Sequence, residues 1–132
     1  MKNKLLVILG LSAFVFFGIA AGKRPASLYD NLKVLPKDIN RTDLDSVMTR
    51  YTKALNVGCD FCHAKNKTNT SSIDFESDEK PEKEIARVMM RMTEVINKDF
   101  FGHTIIYTAT EEMAVTCNTC HKGNPRPESK GN

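Results

Sequence analysis

All four cysteines of the chain lie in two copies of one five-residue pattern, Cys-x-x-Cys-His. The first copy spans residues 59–63 and the second spans residues 117–121. This pattern is the attachment signature of c-type haem, because two thiols on one helical turn can each bond a haem vinyl group while the following imidazole faces the iron. The sequence therefore predicts two covalently bound haems c. The thioether cysteines would be Cys59, Cys62, Cys117 and Cys120, and the first iron ligands would be His63 and His121.

Three other uses of the cysteines are alternatives. A four-cysteine zinc site would join Cys62 and Cys117 across 54 intervening residues, far beyond the about 15–20 of zinc ribbons, and would leave both histidines unexplained. A thioredoxin-like redox pair needs a βαβ context that the sequence lacks. A disulfide within each Cys-x-x-Cys is strained and closes a very short loop.

The residue opposite each histidine on the iron separates an electron carrier from a catalyst, and methionine favours a carrier of raised potential. Met48 lies on the apolar face of a predicted helix, 11 residues before Cys59, and Met89 has the equivalent place in a second helix. Met92 shares the face with Met89 and is its alternative. Core packing is the more common role for methionines at this spacing. His103, the third histidine, is expected to be an ordinary hydrogen-bonded residue, although a ligand role is open.

Two helices are predicted to position the motifs. The first begins at Thr42, with Thr42 and Asp45 placed as a capping box, and ends at Gly58. The second begins around residues 78–81, where a proline suits the first turn and acidic residues suit the positive end of the helix.

The two helices have one apolar spacing in common, and each is followed by a Cys-x-x-Cys-His motif. A polar loop at 65–77 separates them, and residues 99–110 are expected to form a loop or a short strand. The matching faces are Leu44, Met48, Tyr51 and Leu55 in the first helix and Ile85, Met89, Met92 and Ile96 in the second. The sequence thus predicts a duplicated helix-plus-motif unit. Met90 points away from the second face.

The start of the chain has the layout of an export segment. Lys2 and Lys4 precede the uncharged run Leu5–Ala21, and Lys-Arg-Pro follows at 23–25. Residues 1–22 are therefore predicted to be a signal peptide or an N-terminal membrane anchor. Either one places the domain on the extracytoplasmic, periplasmic side, with membrane contact through residues 5–21 if the segment is retained.

Length and composition limit the chain after residue 22 to one small domain. The chain has 132 residues, 19 basic and 16 acidic, and the two signs are interspersed, which argues against a nucleic-acid partner. After residue 22 only roughly 35% of residues are apolar, with no tryptophan and four phenylalanines, so a bulky cofactor is expected to fill the interior. We expect an extended arm at 23–41, a mainly α dihaem domain at 42–127 and an irregular tail at 128–132.

Over residues 34–127 the sequence resembles the cytochrome subunit of photosynthetic reaction centres and its smaller relatives. The matching stretches are Val-Leu-Pro-Lys-Asp-Ile at 34–39, Ala-Arg-Val-Met-Met-Arg-Met at 86–92 with Ile-Asn at 96–97, and the run at 115–127. In that family a methionine on the helix before each motif is the usual sixth ligand, and the matching positions here are Met48 and Met89.

The sequence also differs from this family in the number of haems that it would hold. His103 falls where a family histidine ligates a haem of the other repeat, but the photosynthetic subunit has four haems in two repeats and this chain has one repeat with two. The haem that His103 would serve is therefore not part of this chain. The stretch from His103 to Cys117 is also longer than in the family pattern, which leaves Met92 and His103 as alternative ligands of the second haem.

We therefore expect an exported, mainly α dihaem cytochrome c that carries single electrons between membrane-associated redox proteins. One alternative is a peroxidase-like haem enzyme with an open axial position on one iron. Another is a haem-stacking module of a larger assembly, in which His103 is donated from another subunit. No Ser/His/Asp set, paired-carboxylate site or glycine-rich phosphate loop is present in the sequence.

Overall fold

The computed structural model describes residues 29–110 and 112–127. The predicted export segment at 1–22 and the tail at 128–132 lie outside these residues. Within them the elements are α1 (Arg41–Leu55), a 3-10 turn (Cys59–Phe61), β1 (Ala64–Lys65), β2 (Ile73–Asp74), α2 (Pro81–Phe101) and α3 (Cys117–His121). The two strands form a small antiparallel hairpin at 64–74, which overlaps most of the predicted loop at 65–77, with Ala64 opposite Asp74. The mainly α prediction is confirmed for the described part of the chain.

Helix α1 begins one residue earlier than predicted, and its cap is different. The side-chain oxygen of Asn40 accepts a hydrogen bond from the backbone N–H of Asp43 at 2.9 Å, so Asn40 satisfies one of the free N–H groups of the first turn. The predicted capping box of Thr42 and Asp45 is therefore wrong.

The end of α1 also differs from the prediction. The helix ends at Leu55 because Asn56 adopts a left-handed conformation with φ of 53°, which asparagine tolerates better than most residues. The predicted end at Gly58 is three residues too late. Gly58 instead directly precedes the first motif.

Helix α2 begins as predicted. Pro81 occupies its first turn, and Glu82 and Glu84 lie near its positive end. The helix continues to Phe101 and is closed by Gly102 in the left-handed region, with φ of 67°. It therefore includes residues 99–101 of the stretch expected to be loop or strand, and residues 102–110 contain neither helix nor strand.

A small apolar cluster joins the arm at 29–40, helix α1 and the stretch after α2. Its buried members are Leu35, Ile39, Val47, Ile105 and Tyr107. Half-buried residues packed against it are Tyr29, Leu32, Leu44, Met48, Tyr51, Met90 and Met113. The arm contributes two of the five buried residues, so it is part of the packed domain.

The predicted apolar face of α2 is only partly covered by protein. Ile85 and Met92 have 57% and 45% of their surface exposed, whereas Met89 and Ile96 are half-buried. The buried residues of this helix are Arg87 and Asn97, and Met90 packs against the apolar cluster. Polar residues can occupy the inner side because their groups are hydrogen-bonded there.

Helix α3, which contains the second motif, packs against α1. The backbone N–H of Gly123 donates to the carbonyl oxygen of Ala54 at 2.9 Å. The second motif therefore lies against the helix that precedes the first motif, a relationship that a duplicated helix-plus-motif unit does not predict.

Candidate functional site

The first motif forms a single helical turn. The backbone N–H of His63 donates to the carbonyl oxygen of Cys59 at 3.1 Å, which closes the turn. Cys59 is exposed, Cys62 is half-buried, and both are free thiols. The ammonium group of Lys80 donates to the backbone oxygen of Asp60, so this turn is tied to the residue that precedes α2.

The imidazole of His63 is half-buried beside Phe75. The two ring centroids are 5.1 Å apart, with an interplanar angle of 67°. Nδ1 is buried and has no hydrogen-bond partner among the described residues. Burial, together with the positive charge of Lys83, lowers the pKa of His63 against an opposing backbone hydrogen bond at Phe75. The net effect favours the neutral ring, which is the form that binds metals.

The second motif is a short helix with a complete cap at each end. Thr116 and Thr119 form a reciprocal capping box at its start, and Lys122 closes it in the left-handed conformation. Nδ1 of His121 lies 2.8 Å from the backbone oxygen of Asn124. A histidine whose Nδ1–H is bound to a carbonyl presents Nε2 to a metal.

The environment of the half-buried thiols disfavours thiolate chemistry. Burial raises the pKa of Cys62, with a further contribution from the negative charge of Glu82. Burial also raises the pKa of Cys117, against a smaller opposing effect of Arg50. Reactive or metal-binding thiolates need the opposite shift. Across 29–110 and 112–127, no three His, Cys, Asp or Glu residues are grouped to hold a metal ion, so the four cysteines do not form one zinc site.

The candidate sixth ligands have different surroundings. Met48 is half-buried and packs against the apolar cluster, as does Met90. Met89 is half-buried outside that cluster, and Met92 is exposed. His103 is exposed in the turn after α2, where its backbone N–H donates to a carbonyl at the end of that helix. Of the three α2 methionines, Met90 is therefore the one committed to the protein core.

Asn97 positions the second motif, a role that the pattern of apolar residues does not reveal. Its side chain is fully buried. Oδ1 accepts from the N–H of Val115 at 3.0 Å, and Nδ2 donates to the oxygens of Val115 at 2.7 Å and Thr93 at 2.9 Å. Asn97 thus fixes the backbone two residues before Cys117 against α2. The sequence feature that could have revealed this role is the Ile-Asn pair at 96–97, which matches the family.

A second unpredicted feature is the ion-pair network at the start of α2. Asp78 accepts from Arg87 at 2.9 Å and from Lys33 at 2.6 Å, and these contacts hold the pKa of its carboxyl far below the usual range. Arg87 also pairs with Glu84 at 2.8 Å and donates to the backbone oxygen of Asn31 at 3.2 Å. The network fastens the arm to α2.

Comparison with known proteins decides the family. Residues 18–130 match the family model described as the photosynthetic reaction centre cytochrome C subunit. The chain belongs to this family. The resemblance inferred from the sequence is thereby confirmed, and the chain is a c-type cytochrome, the class of electron-transfer protein that holds haem through Cys-x-x-Cys-His.

Similar proteins come from several bacteria. The cytochrome is 34% identical to the photosynthetic reaction center cytochrome c subunit of Roseobacter denitrificans over 76% of its own length. It is 32% identical to the same subunit of Rubrivivax gelatinosus over 82% of its length, and 31% identical to cytochrome c-554 of Chloroflexus aurantiacus, also over 82%. The alignments cover 25%, 26% and 24% of those relatives, so the cytochrome spans about a quarter of their length.

One further property concerns the helices. Within the ranges 29–110 and 112–127, no helix of the cytochrome combines the length and the apolar character needed to cross a bilayer.

Proposed function

We propose that this cytochrome is an exported dihaem electron carrier that passes single electrons between membrane-associated redox proteins. Its four motif cysteines would hold two haems through thioether bonds, and its ligand pairs would be His63 with Met48 and His121 with Met89. The observation that carries the proposal is the second motif. One helical turn holds two thiols and an imidazole whose Nδ1 is fixed 2.8 Å from the oxygen of Asn124.

The residues present fit this cofactor. When bound, haem c supplies a one-electron iron couple. The cysteines would fix its edge, and the Asn124 oxygen would hold His121 in the tautomer with Nε2 unprotonated. Burial lowers the pKa of His63, which favours the neutral ring, and Nδ1 has no hydrogen-bond partner in the described residues. Thioether sulfur at the sixth position would favour the reduced iron and close it to other ligands.

The uncovered face of α2 supports a cofactor on this helix. Ile85, Val88, Met92 and Val95 are all exposed, and their spacing of three or four residues places them on one stripe. An apolar stripe of this length is uncommon on a small soluble domain. A porphyrin packed along it would remove the stripe from water and would complement the small apolar cluster.

A second candidate is the haem-stacking module of a larger assembly. Exposed Phe100, Phe101 and Ile106 surround the turn that contains His103, and Phe100 has 77% of its surface in solvent. This apolar edge favours contact with another haem protein. Sedimentation of the haem-loaded protein over a hundredfold range of concentration separates the two candidates, since the carrier stays monomeric.

The test of the main proposal combines mass and spectroscopy on the haem-loaded protein. We expect an intact mass with two haem additions and low-spin, six-coordinate spectra for both irons in both redox states. In the variant with Cys117→Ser and Cys120→Ser, one addition should remain. A wild-type mass without two additions would overturn the cofactor assignment. A five-coordinate iron that binds carbon monoxide without denaturation would favour the peroxidase-like enzyme instead.

A further inference from the structure

We propose that the surface around the second motif is a docking site for a redox protein with an acidic surface. We call it the basic surface, and it consists of Arg50, Lys53, Lys122 and Arg126. This inference deepens the proposed function and rests on it, because the partner would exchange electrons with a haem held at residues 117–121.

The first observation is the charge pattern of two stretches of sequence. Residues 46–59 and 113–127 contain the four cations of the basic surface and no aspartate or glutamate. Acidic residues bound both stretches, at positions 45, 60, 112 and 128, and in the rest of the chain from residue 30 onward the two signs are mixed. The positive charge is therefore unbalanced within the two stretches themselves.

The second observation is that the fold joins these two stretches. Helix α3 packs against α1, and the N–H of Gly123 donates to the oxygen of Ala54 at 2.9 Å. Lys53 directly precedes Ala54 and Lys122 directly precedes Gly123, so each lysine is adjacent in sequence to one partner of this hydrogen bond. Both are exposed, as is Arg126. Two regions distant in sequence thus present one charged surface.

The third observation is that none of these cations forms an ion pair with another described residue. The ion pairs of the described residues involve the arm, the start of α1, the hairpin and α2. None involves a member of the basic surface. Arg50 donates through Nη1 to the oxygen of Thr108 at 2.9 Å, and its buried Nε has no partner among the described residues. The guanidinium is therefore held in place without an ion-pair partner among residues 29–110 and 112–127.

Charges of both signs surround the first motif. Asp60 lies inside it, and Cys62 is acted on by the negative charge of Glu82 and by the positive charges of Lys80 and Lys83. At the second motif the charge that acts on Cys117 from outside the motif is the positive one of Arg50. The second motif is therefore the end expected to attract an anionic partner.

Clustered like charges act together over about 10 Å at physiological salt, and they accelerate the encounter of oppositely charged proteins. Carboxylates on a partner would be drawn to the second motif and would orient that partner for electron transfer. An anionic membrane is the competing occupant, and it is distinguished by the experiment.

The experiment measures electron transfer from the reduced, haem-loaded protein to small charged oxidants by stopped flow. Ferricyanide is the anionic probe and tris(phenanthroline)cobalt(III) is the cationic one. In the variant with Lys53→Gln and Lys122→Gln we expect the ferricyanide rate at low salt to fall about threefold or more, and the cobalt rate to rise. The differences should vanish at high salt.

The matched comparison is Lys53→Gln against Arg41→Gln. Both remove one positive charge from α1, but Arg41 lies twelve residues earlier, about 18 Å away along the helix, and 87% of its side chain is exposed. We expect Lys53→Gln to slow the reaction with ferricyanide and Arg41→Gln to leave it unchanged. Equal effects of the two substitutions would overturn the basic surface.

A final measurement uses a reduced flavodoxin as the acidic protein donor. The rate of electron transfer from flavodoxin to the cytochrome should depend steeply on salt concentration and should fall in the variant with Lys53→Gln and Lys122→Gln. Tight binding of the protein to phosphatidylglycerol vesicles, without a lysine-dependent rate with flavodoxin, would overturn the protein partner in favour of a membrane. Haem content and absorption spectra are recorded first for every variant. Missing haem at the second motif contradicts the proposed function, whereas intact haem with unchanged rates contradicts only the docking surface.

Discussion

The Nδ1 atom of His121 lies 2.8 Å from the backbone oxygen of Asn124, three residues further along the chain. Because that oxygen can only accept, Nδ1 carries the ring proton and Nε2 is left with its lone pair. The left-handed conformations of Lys122 and Gly123 bring the Asn124 carbonyl to the ring. The turn after the second motif therefore selects the histidine tautomer that the motif needs.

The methionines give the first prediction. In Met89→Ala, loss of the thioether should lower the potential of the second haem and allow carbon monoxide to bind the reduced iron. We expect at least a tenfold change in the reduction equilibrium, or 59 mV for one electron. Met92→Ala is the control and should leave both properties unchanged. Met48→Ala should have the same effect at the first haem. Absorption spectra and redox titration are recorded for all three variants. If Met92→Ala, and not Met89→Ala, lost the spectral signature of the methionine ligand, Met92 would be the ligand instead of Met89.

The second prediction concerns Asn97. In Asn97→Leu, the N–H and oxygen of Val115 lose their buried partners, which should cost about 2–4 kcal/mol of unfolding free energy. The second haem should also show an altered spectrum, because the backbone before Cys117 is released. Denaturant unfolding measures the first effect. Lys98→Ala, at the neighbouring exposed position, is the control. If the two variants unfolded at the same denaturant concentration, Asn97 would not hold this segment.

The third prediction is a pH dependence that arises from Asp78. Arg87 and Lys33 depress the pKa of its carboxyl in the folded protein, so its contribution to stability is fully present above the usual aspartate pKa of about 3.9 and is lost as pH falls below it. Asp78→Asn should therefore be less stable than wild type at neutral pH, and the difference should shrink below about pH 4. Urea unfolding at neutral pH and below about pH 4 measures this difference in stability. Asp38→Asn is the control at an exposed position. A difference that stayed constant with pH would assign the effect to packing.

The fourth prediction concerns Arg50. Its positive charge near Cys117 would favour the reduced iron of a haem held at the second motif. Arg50→Gln should therefore shift that haem toward the oxidised form by about threefold to tenfold, whereas Arg50→Lys should shift it less. Redox titration of each haem measures the shift. The first haem is the internal reference, and an equal change at both haems would point to a general loss of structure.

Much of the site follows from local sequence. The second motif forms a helical turn because Thr116 and Thr119 cap it locally. Helix α2 begins at Pro81 because proline and the acidic residues after it suit a first turn. The boundaries of α1 were missed because both depend on asparagines. Asn40 caps through its side chain, and Asn56 ends the helix through its backbone conformation.

The sequence by itself determined the attachment chemistry, the helical class and the family, since all three depend on residue identity and short spacing. Tertiary structure decided that the second motif packs on α1, that the buried Asn97 holds the backbone of Val115, and that Gly123 is hydrogen-bonded to Ala54. These relationships join residues 18 to 69 positions apart. Such contacts depend on how the whole chain packs, and no local periodicity encodes them.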